Sequence, residues 1–173
     1  ARAAPRRAAS GAPRLSGDLA AHLGGHHRDF EETLALVRHA EALGYRAVYV
    51  DGDVTMLPSR GDAPVLDGWT ATVGYLARTS RIEIGSIRLV HHWNAARLAQ
   101  AIASAEQIAP GRLRVLASIG AQATDRRFGL AFPPVAERIE WLDEMLGALR
   151  RLLTGDVVTL RGRHVALDEA RVR

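Results

Sequence analysis

The chain has 173 residues and a mass of 18.7 kDa, enough for one domain with its own core. It has no cysteine, which removes disulfides, thiolate nucleophiles and cysteine-held zinc or iron–sulfur centres, and it has no apolar run of bilayer-spanning length. All 23 basic residues are Arg, which excludes Schiff-base chemistry and a Walker-type phosphate loop, and the four arginines of residues 1–14 account for the whole net charge of +4.

Residues 1–13 contain only Ala, Arg, Pro, Ser and Gly, so this stretch reads as a disordered arm. It has no apolar core of a secretory signal, and a cytoplasmic location is expected. Beyond the arm the basic and acidic residues balance, and aromatics are only 5%, too few for a base-stacking platform. A nucleic-acid partner is not expected; that reading rests on the arm alone.

From residue 14 the pattern predicts one domain to residue 173. Arg14–Leu19 is a weak first strand interrupted by Gly17, followed by a loop with His22, Gly24, Gly25, His26 and His27. Asp29 and Glu32 have the spacing of a helix N-cap and its capping-box partner. Leu34, Val37, Ala40 and Leu43 supply the apolar face of that first helix, and Gly44 ends it. Ala47-Val48-Tyr49-Val50 is a continuous apolar run of the kind found in buried parallel strands, and it ends at Asp51-Gly52-Asp53.

A loop with three turn-formers leads to a second helix carrying Leu66, Trp69, Val73 and Leu76 at helical spacing. Residues 81–87 form the third strand. Asn94 caps a third helix with Leu98, Ile102, Ala105 and Ile108, which Pro110-Gly111 stops. Residues 112–119 form the fourth strand. Pro133-Pro134 opens a long helix that keeps Ile139, Leu142, Met145, Leu149 and Leu152 in register up to Thr154-Gly155. Val157–Leu160, a turn at Arg161-Gly162, and His164–Leu167 read as a β-hairpin.

Strands starting near residues 14, 46, 81 and 112 make a βα unit that repeats every 31 to 35 residues. Four such units in a row predict a parallel sheet with helices outside, either an open doubly wound sheet or part of a (β/α)8 barrel. The first βα turn lacks a GxGxxG fingerprint, which argues against a dinucleotide-binding open sheet.

Several segments together resemble the bacterial luciferase-like superfamily of flavin- and deazaflavin-dependent oxidoreductases. Ala40-Glu41-Ala42-Leu43-Gly44-Tyr45 running into Ala47–Val50 is similar to the family's first helix and second strand. Asp67-Gly68-Trp69-Thr70 and Ala77-Arg78-Thr79-Ser80-Arg81-Ile82-Glu83-Ile84-Gly85 resemble its "D-x-W-T … A-x-x-T-x-R-I-x-L-G" block. Gly111-Arg112-Leu113 opens the fourth strand as in the family. Phe128-Gly129, Phe132-Pro133-Pro134 and Glu137-Arg138 match "F-G-x-x-F-P-P-x-x-E-R", and Thr154-Gly155 with Arg161-Gly162-Arg163-His164 resembles its hairpin. No one motif is specific; their order from about residue 40 to 168 is.

The resemblance implies a (β/α)8 barrel, present here as a half barrel with a β-hairpin inserted after the fourth helix. It implies an oxidoreductase or monooxygenase that works with reduced FMN or an 8-hydroxy-5-deazaflavin on a small organic substrate. A barrel places its chemistry at the C-terminal ends of the strands. On that basis the expected cofactor-binding residues are Asp51, Gly85, Ser86, Ile87, Ser118, Ile119, Gly120 and Thr124, with His91 and His92 in a substrate pocket. Gly85-Ser86 stands where the family passes main chain beneath the cofactor ring. Gly120 stands in its glycine-containing turn, although Ala121 replaces the acid that deazaflavin members often carry there. The family's Asp-His pair after the second strand is Asp51-Gly52 here, so its proton-transferring ring is missing and no catalytic residue is assigned.

The histidines match no ligand spacing, and no metal site is expected. Two assemblies would cover the open sheet of a half barrel, a second copy of the chain or a missing C-terminal half. A degenerate half barrel acting only through such assembly is the alternative to an enzyme. In either case Val48, Val50, Ile82, Ile84 and Val115, or their neighbours, are expected to point to the uncovered inner face.

Overall fold

The computed structural model describes residues 19–23, 29–51, 66–120 and 129–173. Its elements run β1 (Ala20–Leu23), α1 (Phe30–Ala42), β2 (Ala47–Val50), α2 (Gly68–Arg78), β3 (Glu83–Leu89), a short 3-10 turn (Val90–His92), α3 (Ala95–Ile108), β4 (Leu113–Ser118), α4 (Val135–Leu153), β5 (Val158–Arg161) and β6 (Ala166–Ala170). β1 to β4 form one parallel sheet in sequence order, and β5 and β6 form a separate antiparallel pair. The result is an α/β fold built on a parallel sheet, as the repeat predicts.

The helices begin where their caps place them. The Asp29 carboxylate accepts the Glu32 N–H, Asp67 accepts the Thr70 N–H at 2.7 Å, and the Asn94 side chain accepts from both Ala96 and Arg97. At the other end of each βα unit, charged side chains collect loose backbone groups. One Glu41 oxygen accepts the N–H groups of Ser80, Arg81 and Ile82, tying α1 to the approach to β3. The Arg112 guanidinium donates to the Leu76 and Ile82 carbonyls and to the Thr79 hydroxyl, closing the C-terminus of α2. Both residues belong to the motifs that carry the family resemblance.

The first strand is displaced from its expected place. It spans Ala20–Leu23 rather than 14–19, and residues 14–18 lie outside those described. Local apolar content does not select it; partnership with β2 does, Ala20 pairing with Ala47 and Leu23 with Val50. His22, expected in a loop, is therefore a strand residue.

The register decides which residues face the uncovered side, and it is the neighbours of Val48, Val50, Ile84 and Val115. Val48, Val50 and Ile84 are 0–4% exposed in the core formed with the helices, together with Leu34, Val37, Tyr75, Leu76, Leu98 and Met145. By the register, Val115 shares their face, and Ile82 is buried just before β3. The opposite face carries Ala20, His22, Tyr49, Gly85, Ile87, Arg114 and Leu116. Among the described residues no layer covers it, and Leu116 is 49% exposed. The run Ala47–Val50 is apolar at every position, so pattern alone does not fix which face is which.

Candidate functional site

The C-terminal ends of β1 and β2 bring together two side chains that lie 29 residues apart in the chain. His22 and Tyr49 are opposite one another in the parallel register, and Asp51 follows Tyr49 by two residues on the same face. His22 Nε2 lies 2.5 Å from Asp51 Oδ1. A carboxylate only accepts, so the proton of this hydrogen bond is on Nε2. The His22 side chain is 55% exposed and that of Asp51 19%.

Asp51 is itself fixed from behind. Its carbonyl accepts from Arg88 Nη2, and α2 begins so close to that carbonyl that a Cβ on Gly68 would lie 2.0 Å from it. Only glycine permits this approach. Arg88 is buried on the helix side, with its guanidinium 5.9 Å from the centre of the Trp69 ring. Sequence reading passed over Arg88; a charged residue at a helix-facing position of a core strand was the available signal. Burial would raise the carboxyl pKa of Asp67, the cap beside it, but hydrogen bonds from Thr70 and the charge of Arg88 outweigh that and lower it.

On the uncovered face, Ala20, His22, Tyr49, Ile87 and Leu116 line an open recess of about 380 Å³. The lining is mostly apolar, with the His22–Asp51 pair at its edge. Gly85 lies within this face, and the space over it is taken by the ring of Tyr49: a Cβ on Gly85 would meet Tyr49 Cδ1 at 2.2 Å. Ser86 points the other way. Its hydroxyl is fully buried and 2.9 Å from the Thr72 hydroxyl, which donates to the Gly68 carbonyl. Any contact Ser86 makes on the open face is through its main chain.

The turn after β4 forms a second cluster. Gly120 has φ +69°, and its N–H donates to the Ser118 hydroxyl. The Ile119 and Gly120 carbonyls both accept from Arg138 Nη1, and the Pro133 carbonyl accepts from Nε. Arg138 is 7% exposed and stacks 4.0 Å over the Phe132 ring. One side chain of α4 thus holds three carbonyls of the surrounding turns. Sequence reading quoted Arg138 as part of a motif without assigning it this part.

His91 is buried against the same turn. Its Cε1 would be 3.3 Å from a Cβ on Gly120, and its ring packs against His92, Phe132 and Trp141. Trp141 continues the stack onto His164, with ring centres 5.0 Å apart. Glu144 accepts the N–H groups of Arg163, His164 and Val165, fastening the β5–β6 turn to α4. Burial would raise the Glu144 carboxyl pKa, but these three hydrogen bonds lower it overall.

The structure thus gathers His22, Asp51, Tyr49, Gly85 and Ile87 around the recess, and His91, Ser118, Ile119 and Gly120 around the turn after β4. Thr124, His26, His27, Gly52 and Asp53 lie outside the described residues. Among the described residues, no three His, Cys, Asp or Glu side chains are grouped to hold a metal, and no helix is long and apolar enough to cross a membrane.

A family model described as luciferase-like monooxygenase matches residues 12–173. An F420-dependent glucose-6-phosphate dehydrogenase of Nakamurella multipartita is 30% identical over 138 residues, which cover 77% of this chain and 40% of that protein. The corresponding enzyme of Segniliparus rotundus is 32% identical over 146 residues, 82% of this chain and 42% of its own. The chain therefore spans about two fifths of the length of these relatives. Among solved structures, a monooxygenase from Streptomyces bottropensis superposes with a TM-score of 0.75 at 22% identity, over 90% of this chain and 50% of that one. The coenzyme F420 dependent tetrahydromethanopterin reductase from Methanopyrus kandleri gives 0.74 at 19% identity, over 90% and 46%.

Proposed function

This chain belongs to the luciferase-like monooxygenase family, and we propose that it forms the first four βα units of a (β/α)8 barrel that binds a flavin or a deazaflavin, with the β5–β6 hairpin inserted after the fourth helix. The observation that carries this reading is the uncovered face of the β1–β4 sheet. Its recess joins an apolar wall to a polar edge at the C-terminal strand ends, where barrels keep their sites. A tricyclic flavin-class ring has the same character, apolar on its faces and polar along its edge, so the residues present fit it.

Asp51, Ile87, Ser118, Ile119 and Gly120 would hold the cofactor, with Ser86 contributing main chain and Thr124 completing the set; Gly85, expected beneath the cofactor ring, lies beneath the ring of Tyr49 instead. His91 and His92 would border the substrate. Bound there, the cofactor would supply two-electron chemistry, a hydride exchanged with a small organic substrate or oxygen activated by its reduced form. The glucose-6-phosphate dehydrogenase relatives favour a deazaflavin. The remaining barrel units would cover Ile87 and Leu116 and exclude water from the site.

A second reading is supported by the same exposed face. A half barrel that acts only through assembly with another chain would also present Leu116 half exposed. Expressing the chain and recording its absorbance and fluorescence separates the two. A co-purified yellow or blue-fluorescent cofactor supports the enzyme. A colourless chain that neither acquires FMN nor a deazaflavin on addition supports assembly alone.

A further inference from the structure

We propose that a second copy of this chain supplies the other four βα units, so that two copies close one eight-stranded parallel barrel and each covers the other's recess. The proposal rests on the barrel reading above and names the partner of that same site. Among the described residues the sheet runs β1-β2-β3-β4, with β1 and β4 as its outer strands. A two-fold axis along the barrel sets β4 of each copy beside β1 of the other and keeps every strand parallel. Pairing β4 with its own counterpart would reverse either the strand direction or the inward face. Eight strands is also about the number whose interior side chains alone can fill.

Outer strands that stay unpaired are guarded by Pro, bulges or charge. β1 holds no Pro, Arg, Asp or Glu, and its register with β2 is unbroken. β4 holds no Pro and one charged residue, Arg114, which is tied to Glu83 of the adjacent β3 by two hydrogen bonds of 2.8 Å. The helices beside these strands carry matching apolar flanks. On α1, α2 takes one side, through the Phe30–Tyr75 stack and the bonds from Arg38 to the Arg78 carbonyl. The opposite side shows Leu36 and Leu43, two turns apart, with Leu43 64% exposed. On α4 the hairpin turn takes the side of Glu144, and Arg171 and Val172 beyond the hairpin line one pocket with Arg97 and Gln100 of α3. Val135, Ile139, Leu146 and Leu153 recur on the helix side opposite Glu144, and Val135, Ile139 and Leu153 are about half exposed. Closure covers all of these at once. α4 of each copy lies against α1 of the other, apolar flank on apolar flank, while Ile87 and Leu116 meet their counterparts across the interior. The recess at the strand ends is an enclosed site only in the pair.

The test uses the full chain. Sedimentation equilibrium should reach a plateau at two copies. Leu43→Glu should raise the dissociation constant of the pair at least about tenfold, with circular dichroism showing the fold retained. The sequence has no cysteine, so introduced cysteines report contacts without background. Leu43→Cys chains mixed with Leu153→Cys chains should be joined by a bis-maleimide that just spans neighbouring helices, whose axes lie about 8–10 Å apart, and neither variant should be joined to itself. A plateau above two copies, a monomer at every concentration, an unchanged dissociation constant in Leu43→Glu, Leu153→Cys joined to itself, or no joining in the mixture overturns the closed pair. Cofactor titration of the same chain separates the two readings. A pair that closes yet binds neither FMN nor a deazaflavin overturns the cofactor reading and leaves the assembly. A cofactor bound by a chain that stays monomeric overturns the assembly and leaves the cofactor reading.

Discussion

The ring of Tyr49 lies directly over Gly85, so close that a single added methyl group at residue 85 would fall 2.2 Å from Tyr49 Cδ1. Glycine in a strand interior is ordinarily a weakness. Here it lets an aromatic side chain from β2 lie flat on β3 and wall the recess. Gly85→Val should force Tyr49 out and destabilise the chain by about 1–3 kcal/mol, as overpacking does. The loss should shrink when Tyr49→Ala is present in the same chain, because the two residues share one space. Denaturant melts of the two single variants and the double variant check this; strictly additive losses would show that the ring does not depend on Gly85.

Glu144 makes an acid-sensitive fastening. Although burial acts to raise its pKa, hydrogen bonds from His164, Val165 and Arg163 lower it overall. A carboxyl whose folded pKa lies below its unfolded value contributes stability that is fully present above the unfolded value, near 4.3. That contribution is lost as pH falls through the folded value. The protection of the amides of residues 163–165, relative to an unfolded chain at the same pH, should therefore fall as the pH drops through the folded value. In Glu144→Gln they should exchange fast already at neutral pH. Equal protection in Glu144→Gln would remove the carboxylate as the fastening.

Arg138 should be sensitive even to a conservative change. Its planar fork reaches the Ile119, Gly120 and Pro133 carbonyls while stacking on Phe132. Lysine keeps the charge but not the fork or the stack. Arg138→Lys should cost about 1–3 kcal/mol, the range for leaving buried acceptors unsatisfied. Urea denaturation measures it, and a loss well under 0.5 kcal/mol, the scale of an ordinary surface substitution, would show that the turn does not lean on Arg138.

The exposed strand face should make the isolated chain associate. Among the described residues, Leu116 and Ile87 lie on a face with no cover, and β1 and β4 are the outer strands of the sheet. Sedimentation should report a mass that rises with concentration, and Leu116→Glu should shift it toward the monomer. A concentration-independent monomer in the unaltered chain would contradict this.

How far sequence reading reached depends on whether the relevant partner was local. The first and third helices were legible because Asp29 and Asn94 cap the turn that follows each of them, and the second because Trp69, Val73 and Leu76 keep helical spacing; its cap, Asp67, was not read. The parallel order was legible because four βα units repeat at one spacing. The facing of β2 was not, because Ala47–Val50 is apolar throughout and the deciding contact, Tyr49 on Gly85, is long-range. Ser86 reads as a strand-end polar group, yet its partner Thr72 lies on α2, behind the sheet. His22 reads as one of a run of loop histidines; only the pairing of β1 with β2 brings it to Asp51. The importance of Arg138 was hidden for the same reason, since its carbonyl partners Ile119 and Gly120 precede it by almost twenty residues.

The most direct measurement is an equilibrium titration of the chain with FMN and with an 8-hydroxy-5-deazaflavin, followed by cofactor fluorescence and repeated on Gly120→Val. Gly120 adopts a left-handed conformation at φ +69°, and a side chain there would crowd His91. Saturable binding of a cofactor, weakened at least about tenfold in a Gly120→Val chain that still folds, is the predicted result. Absence of saturable binding of either cofactor, or binding that Gly120→Val leaves unchanged, would contradict a cofactor site at the strand ends of this sheet.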